Sequence, residues 1–222
     1  MMNRPVKHRP LTRRRCSLAL ERLEERLLLS SVPLFQDSGR ALGSSASRNV
    51  ELGDLEGDGD MDAFVCNDGG NAVFTNDGSG SFTDLGVYMG SSRSDDVALG
   101  DLDNDGDLDA FVANTAGQGN RVWLNTGAGT FSDSGQSLGS GDSNAVALAD
   151  IDADGDLDAF VANNGGVNTV YTNNGNGTFS AAQSLGSAAS HDVAMGDLDG
   201  DGDLDAVVGN SGRNVLYVNN GS

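Results

Sequence analysis

The sequence predicts an all-β fold, and two observations carry that prediction. An acidic nine-residue segment recurs four times along the chain, at intervals of 47, 49 and 47 residues. Around each copy, short runs alternate between apolar and small or polar residues, and turns rich in Gly and Asn separate the runs. Alternation with a period of two is typical of a half-buried strand. Copies about 40–50 residues apart indicate a repeat architecture.

Each copy contains the parts of four short strands in the same order. The first run reads NVELG, DVALG, AVALA or DVAMG, and the acidic segment follows it as a loop. A second run (DAFVCN, DAFVAN, DAFVAN, DAVVGN) and a third run (NAVFTN, NRVWLN, NTVYTN, NVLYVN) come next. A hairpin such as NNGNGTF then begins the fourth. Four antiparallel strands per unit is the plan of a β-propeller blade, so residues 34–222 are predicted to form about four blades.

The two ends of the repeat region complement each other. The last copy stops at NVLYVNNGS, before its fourth strand, whereas the segment PLFQDSGRALGSSASRN precedes the first copy. That segment resembles the fourth-strand region GTFSDSGQSLGSGDSN of the second copy. It could therefore complete the last blade and close a ring of four, which would remove open sheet edges. The alternative is that the four blades form part of a larger array.

Charge divides the chain into two regions. The 222 residues carry a formal net charge of −20, with 33 acidic and 13 basic residues. Eight of the basic residues precede position 30, and 30 of the acidic residues follow it. The acidic region argues against a nucleic-acid partner, because such binding needs basic residues that replace counterions. A cation as partner, or an extracellular setting, fits the charge better.

Residues 1–33 are interpreted as a basic, amphipathic leader or targeting segment. Their uninterrupted apolar run, Leu27–Leu29, is shorter than the core of a standard signal peptide, and no stretch is long enough to cross a bilayer. A short solvated helix without a targeting role is the alternative. The two cysteines, Cys16 and Cys66, are too few for a disulfide framework; Cys66 is expected to be a buried free thiol, and a bridge between the two is the alternative.

The acidic segment has the pattern of a calcium loop. It reads D-x-[DE]-x-D-G-D-[LM]-D at residues 54–62, 101–109, 150–158 and 197–205. Calcium takes six to eight oxygen ligands, and carboxylates at positions one, three, five and nine can curl around one ion. Gly at position six permits the turn, and position seven is expected to offer its backbone carbonyl. Position twelve is Val rather than the Glu of an EF-hand, and a β-prone run follows it.

Electrostatics favours a bound cation over four solvated acidic turns. Each loop places five acids within nine residues and contains no Lys or Arg. Like charges at this spacing repel strongly, so the ionised loops need a counter-ion. A single loop could be an ordinary acidic turn, but four copies at matching positions indicate a shared role.

The four units resemble FG-GAP/VCBS repeats, the calcium-binding blades of the integrin alpha-subunit propeller and of many bacterial surface proteins. The resemblance covers about residues 34–222 and implies about four calcium ions. Glu56 stands where the family usually has Asp or Asn. The implied side-chain ligands are Asp54, Glu56, Asp58 and Asp62; Asp101, Asp103, Asp105 and Asp109; Asp150, Asp152, Asp154 and Asp158; and Asp197, Asp199, Asp201 and Asp205. The expected backbone-carbonyl ligands are Asp60, Asp107, Asp156 and Asp203.

Residues Leu23–Ser30 resemble the LEPR-XLL segment of large bacterial surface proteins, with Glu25 in place of the proline. That resemblance implies export to the envelope. We therefore expect a secreted or surface-displayed, calcium-binding repeat protein that acts in adhesion or ligand binding. The alternatives are a structural spacer in a surface array, or a part of a polysaccharide-degrading enzyme.

Few residues outside the leader are suited to catalysis. That region has one histidine, His191, no lysine, and one cysteine in a predicted strand. We therefore expect a protein that is not an enzyme. Arg48 and Arg93 fall in loops between blades, on the side opposite the acidic loops. They suggest a mildly basic face for an acidic polysaccharide or a protein ligand.

Overall fold

The computed structural model describes residues 34–221, and all regular elements in that range are β-strands. No helix that could cross a membrane occurs in the range. The predicted leader, with Cys16 and Leu23–Ser30, lies outside the described residues. The strands are β1 (Ser47–Gly53), β2 (Asp62–Asn67), β3 (Asn71–Asn76), β4 (Phe82–Met89), β5 (Ser94–Gly100), β6 (Asp109–Asn114), β7 (Arg121–Asn125), β8 (Phe131–Asp133), β9 (Ser143–Ala149), β10 (Asp158–Asn163), β11 (Asn168–Asn173), β12 (Phe179–Leu185), β13 (Ser190–Gly196), β14 (Asp205–Asn210) and β15 (Val215–Tyr217).

The strands form four antiparallel sheets in chain order, one per repeat. Sheets 1, 2 and 3 contain β1–β4, β5–β8 and β9–β12, each as a simple meander, and sheet 4 contains β13–β15. The register of the first strand against the second is the same in each sheet, with Val50 opposite Val65 in sheet 1 and Val97 opposite Val112 in sheet 2. The all-β prediction is confirmed, and the predicted four-stranded unit is confirmed for the first three repeats.

The fourth repeat has a sheet of three strands, as expected from a copy that stops before its fourth strand. Residues 34–46 form no strand, and within 34–221 no strand pairs with the outer edge of β15. In the other sheets a short hairpin connects the third strand to the fourth. No short hairpin connects residues 34–46 to β15, and among the described residues that segment does not complete the last sheet. The repeats together form one compact unit, Leu42–Ser222, and residues 34–41 fall outside it.

The core lies between successive sheets. A phenylalanine in the second strand of sheets 1, 2 and 3 is fully buried and packs on the valines of the next sheet. These residues are Phe64, Phe111 and Phe160. The first strands of successive sheets also lie side by side, β1 next to β5, β5 next to β9, and β9 next to β13. Cys66 is a buried free thiol, as predicted.

Candidate functional site

Each acidic loop connects the first strand of its sheet to the second. The aspartate at position one follows the first strand directly, and the aspartate at position nine is the first residue of the second strand. The two ends of the loop lie close together because the two strands remain paired as far as the residues next to the loop, for example Gly53 opposite Asp62. The strand pairing therefore brings positions one and nine close to each other in every repeat.

The carboxylate at position one organises the turn around itself. In the first loop, the backbone N–H groups of Gly57, Asp58 and Gly59 donate to Asp54 at 2.8, 3.1 and 2.9 Å. In the second loop, Asp105 and Gly106 donate to Asp101 at 3.2 and 3.0 Å. Position one therefore holds the backbone of the turn in place through its carboxylate.

Two positions in the loop adopt left-handed backbone geometry. The glycine at position six has φ between 92° and 99° in all four loops, which confirms the predicted role of that glycine. Position four is also left-handed, with φ of 73° at Gly57, 61° at Asn104, 61° at Ala153 and 83° at Gly200. The sequence pattern gives no signal for position four, because its residue type varies. Ala153 is strained there, since a β-carbon disfavours this region.

The aspartate at position nine is buried and ties the loop to the rest of the sheet. Asp109 accepts from the N–H of Leu102 at 2.9 Å and from the N–H of Asn125 at 2.7 Å, one bond on each oxygen. The same pair of bonds recurs at the other three aspartates of this position. Burial raises the pKa of Asp109 to about 6, and the nearby Asp103 and Asp105 add to that rise. Position nine is thus both a structural residue and a candidate ligand.

Positions one, three and nine converge in three of the four loops. One carboxylate oxygen from each position lies within 4.8 Å of the others in the groups Asp101, Asp103, Asp109; Asp150, Asp152, Asp158; and Asp197, Asp199, Asp205. Two oxygens in these groups, Oδ1 of Asp103 and Oδ1 of Asp150, are buried and have no hydrogen-bond partner. A buried carboxylate oxygen without a donor is unfavourable, and a cation would satisfy it.

The first loop does not show this convergence among the described residues. Glu56 occupies position three there, and its side chain is one methylene longer than those of the aspartates in the other loops. The grouping predicted for Asp54, Glu56 and Asp62 is therefore not found at the same distance. The first site differs from the others in its geometry as well as in its sequence.

Positions five and seven play different parts from position three. Oδ1 of Asp105 accepts the N–H of Asp107 at 2.9 Å, and the equivalent bond occurs in the other three loops. The carboxylate at position seven packs against a glycine of the next hairpin, as Asp107 does against Gly127. Its side chain is therefore directed at the hairpin, which leaves the backbone carbonyl as the group that position seven could offer to an ion.

Burial raises pKa values at three of the position-three carboxylates. Removal from water raises the pKa of Glu56, Asp103 and Asp199, and the neighbouring position-five carboxylate raises each of them further. A cation beside these three groups would favour their ionised form.

A set of asparagines that the sequence analysis missed links each loop to the following sheet. Nδ2 of Asn125 donates to the carbonyl of Leu55 at 2.8 Å, across the boundary between sheets 1 and 2. Asn173 makes the equivalent bond to Leu102, and Asn219 to Ile151, both at 2.8 Å. The acceptor is always position two of the preceding loop. Asparagines are common in turns, so only their recurrence at the end of the third strand could have indicated this role.

The side opposite the acidic loops is less basic than expected. Arg48 Nε lies 2.9 Å from Asp68, and its Nη1 lies 3.1 Å from Asp95. Arg93 Nε lies 3.3 Å from Asp68 and 3.7 Å from Asp95. Two arginines and two aspartates therefore form one neutral network between sheets 1 and 2. The prediction of a mildly basic face at these two arginines is wrong, because acids from neighbouring loops pair with them.

A small groove opens beside this network, between sheets 1 and 2. Its volume is about 100 Å³, and Trp123, Met89, Ser94, Asn114 and the ion-paired Arg121 are among the residues that line it. Trp123 is the single tryptophan of the chain. Trp123 is 9% exposed and packs in the core between the two sheets, and Ser94 donates to Asn114 at 2.8 Å, so the groove is a narrow cleft with few free polar groups.

Comparison with known protein families decides what kind of repeat this is. Three overlapping segments, residues 54–112, 101–161 and 150–208, match the FG-GAP-like repeat. The chain belongs to the FG-GAP-like repeat family. The matches together span more than half of the 222 residues. The resemblance inferred from the acidic loop and its following strand is thereby confirmed.

Solved structures similar to this FG-GAP-like repeat protein include a lectin. The Agrocybe aegerita lectin, described as recognising non-reducing terminal N-acetylglucosamine, is 25% identical with a TM-score of 0.50, and the match covers 77% of this chain and 48% of the lectin. The present chain thus spans about half of the lectin's length. BBS1N in complex with ARL6DN is 14% identical with a TM-score of 0.54, over 84% of this chain and 53% of that one, and shows a shared fold only.

A third solved structure is more distant. The V. cholerae biofilm matrix protein Bap1 is 20% identical with a TM-score of 0.43, over 73% of this chain and 23% of that one. No curated protein matches this chain in sequence.

Proposed function

We propose that this FG-GAP-like repeat protein is a secreted or surface-displayed calcium-binding protein that binds a carbohydrate ligand. The observation that carries the calcium part is the pair of buried, unpartnered oxygens on Asp103 and Asp150, each inside a group of three converging carboxylates. Such oxygens need a donor or a cation, and oxygen atoms are the ligands that calcium prefers.

The donor set favours calcium over other metals. All candidate groups are carboxylate or carbonyl oxygens, and neither Cys nor His belongs to the three groups of described residues. Hard oxygen donors suit calcium and magnesium, whereas zinc and copper prefer nitrogen and sulfur. Magnesium demands a compact octahedron, and a flexible loop with many carboxylates is better suited to the larger ion. We expect three tight sites, and a weaker fourth site at Asp54, Glu56 and Asp62.

The four sheets are proposed to be blades of a β-propeller. Each sheet is a simple antiparallel meander, successive sheets pack face to face, and the first strands lie side by side. In such an arrangement all four acidic loops lie on one side, and the groove at Trp123 opens on the side opposite to them. Ion binding and ligand binding would then be spatially separate.

The carbohydrate part of the proposal is supported by the similar lectin, which is described as recognising non-reducing terminal N-acetylglucosamine. Asp68 and Asp95 pair with Arg48 and Arg93 next to the groove, so these arginines are not free to bind an anion. Neutral glycans suit this setting better than acidic ones, because a net charge of −20 repels anions.

A non-catalytic role is favoured by the arrangement around the single histidine beyond the leader. Nδ1 of His191 faces Nδ2 of Asn144, and Nε2 faces the hydroxyl of Ser211. His191 and Ser211 are both exposed, whereas catalysis needs such groups held in a pocket.

The calcium proposal is tested by counting ions and by matched substitutions in one loop. Asp103→Asn removes a converging carboxylate, whereas Asp107→Asn removes the same charge from a side chain directed at Gly127. Bound calcium per chain, measured after equilibrium dialysis, is expected to fall by one in Asp103→Asn and to stay unchanged in Asp107→Asn. Equal losses in both variants, or no calcium in the wild type, would refute the proposed ligand set.

Thermal stability provides a second readout. An ion present at 100 times its dissociation constant stabilises the folded state by about 2.7 kcal/mol. For a domain of this size, about 1 kcal/mol corresponds to roughly 2–4 °C in Tm. Chelation is therefore expected to lower Tm by well over 10 °C when several sites empty, and Asp103→Asn should lower it by roughly 5–10 °C. An unchanged Tm in chelator would contradict the proposal.

Ligand binding is tested on a glycan array followed by titration. The single Trp123 reports on the groove, so a bound glycan is expected to change the intrinsic fluorescence in a saturable manner without any turnover. Glycans ending in N-acetylglucosamine are the first candidates, and acidic glycans serve as the comparison. Release of product would support an enzyme, and an absence of binding across the array would support a structural spacer.

A further inference from the structure

Hydrogen bonds connect the candidate calcium site of the second loop to that of the third. The two sites are called site 2 and site 3, and they consist of Asp101, Asp103 and Asp109, and of Asp150, Asp152 and Asp158, respectively. Both sites lie in the interior of the array, between neighbouring repeats on either side. The contacts between them therefore do not depend on where the array begins or ends.

The first link between the two sites passes through Leu102 and Asn173. The N–H of Leu102 donates to Asp109 of site 2 at 2.9 Å, and the carbonyl of Leu102 accepts from Nδ2 of Asn173 at 2.8 Å. The N–H of Asn173 donates in turn to Asp158 of site 3 at 2.9 Å. Two buried candidate ligands are therefore joined by consecutive hydrogen bonds. Equivalent bonds join the first loop to the second and the third loop to the fourth.

A second link is specific to sites 2 and 3. Nδ2 of Asn104, at position four of the second loop, donates to Oδ1 of Asp156 at 2.7 Å and to the carbonyl of Gly175 at 3.3 Å. In the sequence Asn104 stands between Asp103 and Asp105, which are both predicted ligands of the ion in the second loop. Asp156 is position seven of the third loop, and its backbone carbonyl is an expected ligand there. The second link therefore joins ligand-bearing segments of the two loops directly.

The residue type at position four explains why the second link is confined to this boundary. The equivalents of Asn104 are Gly57, Ala153 and Gly200, whose side chains carry no hydrogen-bond donor. Asn104 has a φ of 61°, a left-handed conformation that asparagine tolerates better than most residues. One side chain therefore distinguishes the boundary between sites 2 and 3 from the boundaries on either side of it.

An ion in one loop would order groups that hold the other loop in place. Binding at site 3 would fix Asp158 and the backbone at Asp156, which are hydrogen-bonded to Asn173 and Asn104 respectively. With these contacts already ordered, the second loop would lose less conformational entropy when it binds its own ion. Charge alone predicts the opposite sign, because an ion at site 3 weakens the negative potential that attracts an ion to site 2. The sign of the coupling therefore separates the two effects.

We propose that sites 2 and 3 bind calcium cooperatively, and that Asn104 is a positioning residue that strengthens the coupling between them. This inference rests on the proposed calcium function. The buried oxygens without a hydrogen-bond partner belong to these same two sites, Oδ1 of Asp103 to site 2 and Oδ1 of Asp150 to site 3. Coupling between sites in proteins typically changes affinity by about 5–150-fold, and with two links we expect a factor of about 10 here.

The test measures the calcium affinity of site 2 in the full chain, with and without a functional site 3. The amide resonance of Gly106, at position six of the second loop, reports the occupancy of site 2 in an NMR titration. Asp152→Asn removes a converging carboxylate from site 3 and is expected to weaken calcium binding at site 2 by about tenfold. Asp199→Asn is the matched control, because no hydrogen bond joins the fourth loop to the second among the described residues. It is expected to leave the affinity of site 2 unchanged.

A second variant measures the same coupling in the reverse direction. Coupling between two binding equilibria is reciprocal, so Asp103→Asn is expected to weaken calcium binding at site 3 by the same factor, as observed at the amide of Gly155. Circular dichroism checks that each variant folds. Different factors in the two directions would contradict a coupling between sites 2 and 3.

The role of Asn104 is tested through the coupling factor rather than through affinity alone. Asn104→Gly introduces the residue that occupies this position in the first and fourth loops, so the left-handed turn is retained. In this background the effect of Asp152→Asn on site 2 is expected to shrink from about tenfold to about threefold or less. Ala153→Gly is the matched control at the same position of the third loop and should leave the factor unchanged. A purely structural Asn104 would change the affinity of site 2 without changing the factor.

The outcomes distinguish this proposal from the calcium proposal on which it rests. A wild type that binds no calcium in any loop would refute both. Calcium binding in the wild type, with an affinity at site 2 that is equal or tighter after Asp152→Asn, would refute the cooperativity and leave the calcium sites standing. A coupling factor that is unchanged by Asn104→Gly would refute the role of Asn104.

Discussion

The asparagine that bridges sheets 1 and 2 allows a quantitative test of how neighbouring repeats are held together. Asn125 is buried, and its side chain donates to the carbonyls of Leu55 and Leu108 at 2.8 and 3.1 Å and accepts the N–H of Gly127 at 3.2 Å. A net hydrogen bond contributes about 0.5–1.5 kcal/mol, and a buried group left without a partner costs more. Asn125→Ala is therefore expected to lower the free energy of unfolding by about 2–3 kcal/mol.

The equivalent asparagine of the first repeat is the internal control. Asn76 donates only to Met61, at 3.2 Å and in an exposed setting, so Asn76→Ala is expected to cost less than about 1 kcal/mol. Denaturant unfolding in saturating calcium, followed by circular dichroism, measures both values. In terms of Tm, the larger loss corresponds to roughly 4–12 °C.

A second substitution at the same site separates hydrogen bonding from packing. Asn125→Asp keeps the shape of the side chain but directs a carboxylate at two carbonyl oxygens, so it is expected to be more destabilising than Asn125→Ala. If the aspartate variant proved the more stable of the two, the cost of alanine would come from a cavity, and the reasoning about the bridge would fail.

Three further predictions concern single residues. Ala153→Gly relieves left-handed strain and is expected to raise stability by about 0.5–1 kcal/mol in the same denaturant assay, whereas Gly57→Ala should lower it; equal losses in both would contradict the cause. Burial raises the pKa of Asp96 to about 6, above the unfolded value of 3.8. The wild type should therefore lose up to about 3 kcal/mol relative to Asp96→Asn as pH rises from 4 to 6.5, and parallel stability curves would refute this. Burial also raises the pKa of the Cys66 thiol, so in a Cys16→Ser background a thiol reagent should modify Cys66 only after unfolding, and rapid native labelling would argue against that burial.

Much of the fold could be predicted because the same pattern of residues recurs in every repeat. The alternation around Val50 and its three equivalents defines the first strand, and the acidic loop sets where the second strand begins. The fourth strand could be predicted wherever a hairpin tethers it. The last repeat stops before its fourth strand in the sequence, and its sheet accordingly has three strands.

The candidate site was predicted in composition but not in detail. Spacing identifies the carboxylates, yet it cannot show that Asp109 already accepts two backbone N–H groups, or that Asp107 turns toward a glycine of the next hairpin. The sequence also could not show that Arg48 pairs with Asp68 and Asp95. Those two acids come from separate turns, which lie close together only because two sheets pack against each other. Interactions between repeats depend on three-dimensional placement, and a one-dimensional pattern carries little information about it.

The residue at position two of each acidic loop faces away from the carboxylates and lies in the apolar layer shared with the next repeat. Leu55 and Leu102 are almost completely buried there, and their carbonyls hold the bridging asparagines. A change in the conformation of one loop is therefore expected to affect the next repeat. Unfolding of a single repeat exposes the apolar residues against which the following repeat packs. In a linear array with such nearest-neighbour coupling, the terminal repeats should fray first and the central ones should exchange their amide hydrogens last.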